Sequence, residues 1–107
     1  MSSALQSTAP VILALADPVR LGLVEDLGEH GPASLARLAA GTAITRQAVA
    51  RHLGTLESAG LVASERCGRE RIWRLRPRAV AEAGRVLVDA SNRWDDALER
   101  LRRYVEA

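Results

Sequence analysis

The basic side chains are the residues best equipped for chemistry in this chain. All fifteen are Arg, and there is no Lys. A guanidinium stays charged at any physiological pH and offers a planar fork of donors that fits a phosphate or the edge of a guanine. Placement matters more than number. Residues 45–78 hold eight Arg against three acids, net +5, whereas residues 1–44 hold two against four and residues 79–107 hold five against six. The overall charge of +2 is thus an average over two mildly acidic ends and a strongly basic middle, the pattern expected of a chain that meets a polyanion. Other reactive types are sparse. His30 and His52 are far apart, and Cys67 stands alone, which excludes an intrachain disulfide and fits a reducing, cytoplasmic setting. Asp89, Asp95, Asp96 and Glu99 have no imidazole or thiol beside them, a poor donor set for zinc or copper. No glycine-rich phosphate loop occurs and neither His neighbours a plausible nucleophile, so no enzymatic activity and no cofactor are expected.

The elements that must position these Arg residues follow from composition and spacing. At 107 residues the chain has room for one domain, spanning 1–107, with a core thin enough to make oligomerisation an early expectation. Ala and Leu are abundant, while aromatic residues make up only 3%, which favours helix over sheet. No apolar run is long enough to cross a membrane, and the first ten residues lack the basic and apolar segments of a secretion signal. An apolar helix is expected over 9–16. Asp17 and Pro18, an N-cap followed by a proline at the first helical position, open a second helix to about Glu29, with Leu21, Val24 and Leu27 inward. Ser34 caps a short helix over 35–40, and Thr45 opens another that reaches Ala59 ahead of Gly60. Its inward residues are Val49, Leu53 and Leu56. Two helices joined this closely, spanning 34–59, read as a helix-turn-helix. Residues 61–66 and 70–75 read as a hairpin, a wing over 61–75, turning on a three-residue loop at Cys67, Gly68 and Arg69. Pro77 starts a last helix to Val105.

That last helix carries apolar residues alternately three and four apart: Val80, Ala83, Leu87, Ala90, Trp94, Ala97, Leu101 and Tyr104, flanked by Leu98. Such a seam fits packing against another long helix. The helix over 9–16, with Leu13 on it, is the other strongly apolar one, so both are expected to meet their copies in a second chain. The candidate dimer contacts are Leu13, Leu87, Trp94, Leu98, Leu101 and Tyr104. The fold expected is mainly α with a small β-hairpin, a winged helix-turn-helix.

In four blocks the sequence resembles the ArsR family of bacterial winged helix-turn-helix repressors. They are residues 15–21 (LADPVRL), 45–53 (TRQAVARHL), 56–62 (LESAGLV) and 68–75 (GRERIWRL), in order and at these spacings. The resemblance covers about residues 11–105. It implies a homodimer built from the first and last helices, seated on a near-palindromic double-stranded DNA operator whose successive major grooves lie about 34–36 Å apart. It further implies that Thr45 meets a phosphate and that Arg46, Gln47 and Arg51 reach base edges. Ala48 is placed for a thymine methyl, His52 for the backbone or for packing, and Arg69 and Arg71 for flanking DNA. Arg66, Arg74 and Arg76 have weaker claims, because alternation sends some of them to the far face. Trp73 reads as the wing's hydrophobic anchor. The chain departs from the family at Ala50, often Ser, and at Gly54, often basic, which shifts weight onto the Arg residues.

Metal-sensing relatives carry Cys in the first helix of the motif or His and carboxylates on the last helix. Neither set is present, so no metal site is expected, and whether an unidentified small-molecule effector exists stays open. Cys67 between Arg66 and Arg69 is a candidate redox switch without a resolving thiol in the chain. The competing reading is a winged-helix protein-interaction module whose basic face takes an acidic partner.

Overall fold

The computed structural model describes residues 3–106, with side chains from residue 9 onward; residues 1, 2 and 107 of the expected domain lie outside this range. Five helices and three short strands follow in the order α1 (Ser3–Leu15), α2 (Pro18–His30), β1 (Ala33–Ser34), α3 (Leu35–Ala40), α4 (Arg46–Ser58), β2 (Val62–Cys67), β3 (Glu70–Leu75) and α5 (Pro77–Glu106).

Local chemistry sets most of the boundaries. The Asp17 carboxylate accepts from the backbone N–H groups of Val19 and Arg20, at 2.9 and 3.0 Å, and Pro18 supplies the first helical φ of α2. Ser34 caps α3 by accepting from Arg37 N–H at 3.2 Å, and Thr45 caps α4 by accepting from Ala48 N–H at 3.1 Å. At the other end of α4, Gly60 adopts φ +82°. Its N–H reaches Glu57 O at 2.9 Å while Leu61 N–H reaches Leu56 O at 3.0 Å. This paired closure satisfies two terminal carbonyls and folds Leu61 back over Leu56, both fully buried.

The core lies where α2, α3, α4 and the sheet meet: Leu23, Val24, Leu27, Leu38, Val49, Leu53, Leu56, Leu61, Val62 and Trp73 are all buried. Truncating a fully enclosed leucine such as Leu53 to Ala costs about 2–5 kcal/mol in such a setting. The inward residues expected on α4 are borne out. On α2 the expectation needs one correction: Leu21 is exposed and Leu23 takes the inward place, because the buried stripe runs 23, 24, 27 rather than 21, 24, 27. Asp26 on α2 accepts from Arg37 of α3 at 3.0 Å and from His30 Nδ1 at 3.1 Å, tying the two helices together outside the core.

Three further differences from the sequence reading appear. Helix α1 begins at Ser3 rather than at 9 and runs through Pro10. Cys67 belongs to β2 and pairs with Glu70, so the hairpin loop is the two residues Gly68 and Arg69 rather than three. Gly68 takes φ +65° at the first loop position, the conformation a two-residue hairpin turn with glycine first requires. Finally, the two-residue strand β1 pairs antiparallel with β3, Ala33 opposite Trp73 and Ser34 opposite Ile72, making a three-stranded sheet of order β1-β3-β2.

Helix α5 leaves this body. Its 30 residues make a rod of about 45 Å, and the molecule extends to 65 × 30 × 21 Å. No helix among the described residues is long and apolar enough to cross a membrane.

Candidate nucleic-acid interface

Helix α4 buries Val49, Leu53 and Leu56 and thereby turns its other faces outward. At about 100° per residue, Gln47, Arg51, Gly54 and Ser58 lie opposite that buried stripe. Arg46 lies on one flank and Ala48, His52 and Thr55 on the other. The surroundings agree with this division. Arg46 lines a cleft of about 280 Å³ with Ser34 of β1, Leu35 and Ala36 at the start of α3, and Arg69, Glu70 and Arg71 of the wing. On the opposite flank the His52 ring meets Arg20 of α2, Nδ1 to Nη1 3.2 Å.

The eight residues expected at the interface therefore separate into three groups. Thr45, Gln47 and Arg51 are exposed at the start and on the outer face of α4. Arg46, Arg69 and Arg71 converge from α4 and the wing on the one cleft. Ala48 and His52 are half-buried on the flank toward α2. The Thr45 hydroxyl oxygen already accepts from Ala48 N–H, which leaves its own proton as a donor.

Strand pairing decides which wing residues share a face. Arg66 stands directly across from Arg71. Like charges so placed repel, and an anion between them relieves the cost. Arg71 is held in turn: its Nη1 donates to Ser64 Oγ at 2.9 Å, and Ser64 donates to Glu57 of α4 at 2.8 Å. This chain braces the wing against α4. Arg74 is on the other face and pairs with Glu65 at 3.3 Å. Trp73 is buried, in keeping with an anchor. Ser34, Ser58 and Arg66 are the positions that sequence reasoning passed over or ranked low. Alternation would have raised Arg66, whereas Ser34 joins the cleft only through β1.

Ion pairing sharpens the charge map. Among the described residues, Arg20, Arg37, Arg93, Arg102 and Arg103 each have a carboxylate within 4.0 Å, and all five lie outside residues 45–78. Within 45–78 only Arg74 has one. The uncompensated positive charge is thus concentrated on α4, the wing and the start of α5. Exposed salt bridges contribute little to stability, so what this contrast marks is a surface able to meet an external anion.

The expected dimer residues form a second surface. Leu13 is 69% exposed, Trp94 67%, Leu101 62% and Tyr104 85%, and Leu87 and Leu98 are exposed as well. Together they line α5 and α1 with exposed apolar side chains, the kind of surface that marks an interaction site. No group of three His, Cys, Asp or Glu side chains positioned to hold a metal occurs among the described residues. Cys67 is exposed near the wing tip.

Comparison with known proteins follows the same lines. A helix-turn-helix domain family matches residues 15–65. The chain is 36% identical over 85 residues to the HTH-type transcriptional regulator Rv2034 of Mycobacterium tuberculosis, covering 79% of this chain and 76% of that protein. Among solved structures, an ArsR-like transcriptional regulator from Rhodococcus sp. RHA1 superposes with a TM-score of 0.71 at 30% identity, over 95% of each chain. A homodimeric winged helix-turn-helix DNA-binding domain from Mycobacterium bovis, a possible ArsR-family regulator, superposes with a TM-score of 0.68 at 27% identity, over 81% of each chain.

Proposed function

Because the chain belongs to the ArsR-like winged helix-turn-helix transcriptional regulators, we propose that it acts as a homodimer that binds a near-palindromic operator and represses transcription from it. The observation that carries this reading is the separation of two surfaces. Unpaired Arg residues gather on α4 and the wing, and exposed apolar side chains gather on α1 and α5. The first surface suits a duplex and the second a copy of itself.

In this reading each protomer lays α4 in a major groove. Gln47 and Arg51 point at base edges, with Arg pairing best with guanine and Gln with adenine. Thr45, with the N-terminal amides of α4, meets a phosphate. Arg46 reaches a base edge from the cleft it shares with Arg69 and Arg71, which close on the adjoining backbone with Arg66 beside them, and Ala48 and His52 border the groove. Leu13, Leu87, Trp94, Leu98, Leu101 and Tyr104 pack in the dimer, which sets the distance between the two copies of α4. The protein needs no metal in the family's usual positions.

Selection of bound DNA from a random pool tests this reading. The expected product is a motif with two related half-sites about one helical turn apart, bound with steep salt dependence. A motif without two half-sites would count against the dimer. Failure to enrich any DNA, or binding indifferent to salt, would favour a protein-interaction module with an acidic partner.

A further inference from the structure

Arg20 occupies a place with an electrostatic cost. It is the third residue of α2, where the helix dipole disfavours a cation. Two features offset this. The Asp17 carboxylate lies 4.0 Å from Nη1. The backbone N–H of Arg20 holds that carboxyl below its ordinary acidity range, aided by the Arg20 charge and the Val19 N–H. The return for the placement comes from outside α2. Arg20 Nε donates to the carbonyl of Ala14 at 2.6 Å. In a continuing helix that carbonyl would accept from residue 18, which is Pro18 and has no N–H. Arg20 thus closes the end of α1. From the same guanidinium, Nη1 reaches His52 Nδ1 on α4 at 3.2 Å. A guanidinium can only donate, so Nδ1 must accept, and the imidazole proton then resides on Nε2.

We propose that Arg20 is a positioning residue for the DNA-reading helix, clasping the end of α1 to α4 and fixing His52 as the neutral Nε2–H tautomer. An imidazolium would set donor against donor and cation against cation, so the clasp holds only while His52 is neutral. The charged groups facing His52 are Arg20 and Asp17. Helix α1 carries none from residue 9 to 15. Arg37 of α3 is turned to Asp26, and Glu65 of β2 to Arg74. The clasp joins the helix expected in the dimer interface to the helix expected in the groove, so the α1–α2 corner and the reading helix move together.

The proposal rests on the DNA-binding reading above, and its test separates the two. Nitrogen-15 imidazole shifts of the free protein near pH 8 need no DNA. They should show Nε2 of His52 protonated and Nδ1 bare, and the opposite tautomer would overturn the proposal. On DNA selected by the wild type, Arg20→Met and His52→Ala should each weaken binding on the order of tenfold, and the double variant should be no weaker than the poorer single. Losses that multiply would mean independent roles and defeat the clasp, as would two silent substitutions. Should Arg20→Met fail to fold, His52→Gln decides. Its amide oxygen accepts as Nδ1 does, so it should recover most of the affinity lost in His52→Ala. A Gln variant no better than Ala refutes the proposal.

Discussion

Gly54 offers a prediction whose sign and size both come from the geometry. It sits inside α4, and a methyl group built at its Cα meets nothing within 4 Å. Its φ is not among the positive ones, which belong to Gly31, Gly60 and Gly68. Gly54→Ala should therefore enter without strain and stabilise the fold. A helical glycine gives up about 0.5–1 kcal/mol relative to alanine through the freedom of the unfolded chain and weaker helix propensity. In a domain of this size that corresponds to roughly 2–8 °C in Tm. Urea and thermal unfolding followed by circular dichroism would measure it, with an unchanged m-value showing that compactness is unaltered. Gly60→Ala is the control of opposite sign, because φ +82° costs an L side chain about 1–2 kcal/mol. If Gly54→Ala leaves Tm unchanged or lowers it, the account of open space on this face of α4 is wrong. Because Gly54 shares its face with Gln47 and Arg51, operator affinity belongs in the same experiment. A stabilised variant that binds tenfold worse would identify the glycine as clearance for the DNA backbone.

Four further outcomes are expected. Thr45→Ala removes the α4 cap and should cost about 1 kcal/mol in urea unfolding, with a loss of affinity besides. Asp17→Asn keeps a capping side chain but loses the charge. The folded carboxyl titrates below its unfolded value, so the wild-type advantage should be complete above about pH 4 and vanish as pH falls through the lower folded value. Melting curves across that range would show it. Trp94→Asp, on the exposed stripe of α5, should halve the mass seen by light scattering, and an unchanged mass would place the dimer contact elsewhere. Arg71→Ala should weaken all DNA sequences alike and lower the salt slope by about one. Arg74→Ala, tied to Glu65 on the far face, should leave the slope as it was.

What could be read from the sequence was what neighbours along the chain decide. The caps at Asp17, Ser34 and Thr45 and the helix end at Gly60 depend on residues at most four or five apart, and each is where local chemistry put it. The buried stripe of α4 was equally legible, because helical spacing alone defines it. Elements without a period escaped. A two-residue strand has none, so β1 was invisible until β3 lay beside it. At the wing tip, a pairing of Cys67 with Glu70 rather than a three-residue loop changes no residue type, so the sequence does not announce it. The division of α4 into an outer face, a wing flank and an α2 flank could be drawn on a helical wheel. Which flank met which element could not, since His52 and Arg20 are 32 residues apart.

The placing of β1 also bears on the entropy of association. Because β1 covers one edge and β2 the other, β3 is the central strand of the sheet. Its backbone at Ile72 and Trp73 is paired on both sides before any DNA arrives. At that base the wing has surrendered backbone freedom already in folding, whereas its tip, residues 66–71, rests on two strands. Further ordering on binding falls on the tip and on the exposed guanidinium side chains, the latter at about 0.5–1.5 kcal/mol for each one immobilised. Arg71, already held by Ser64, has the least left to lose.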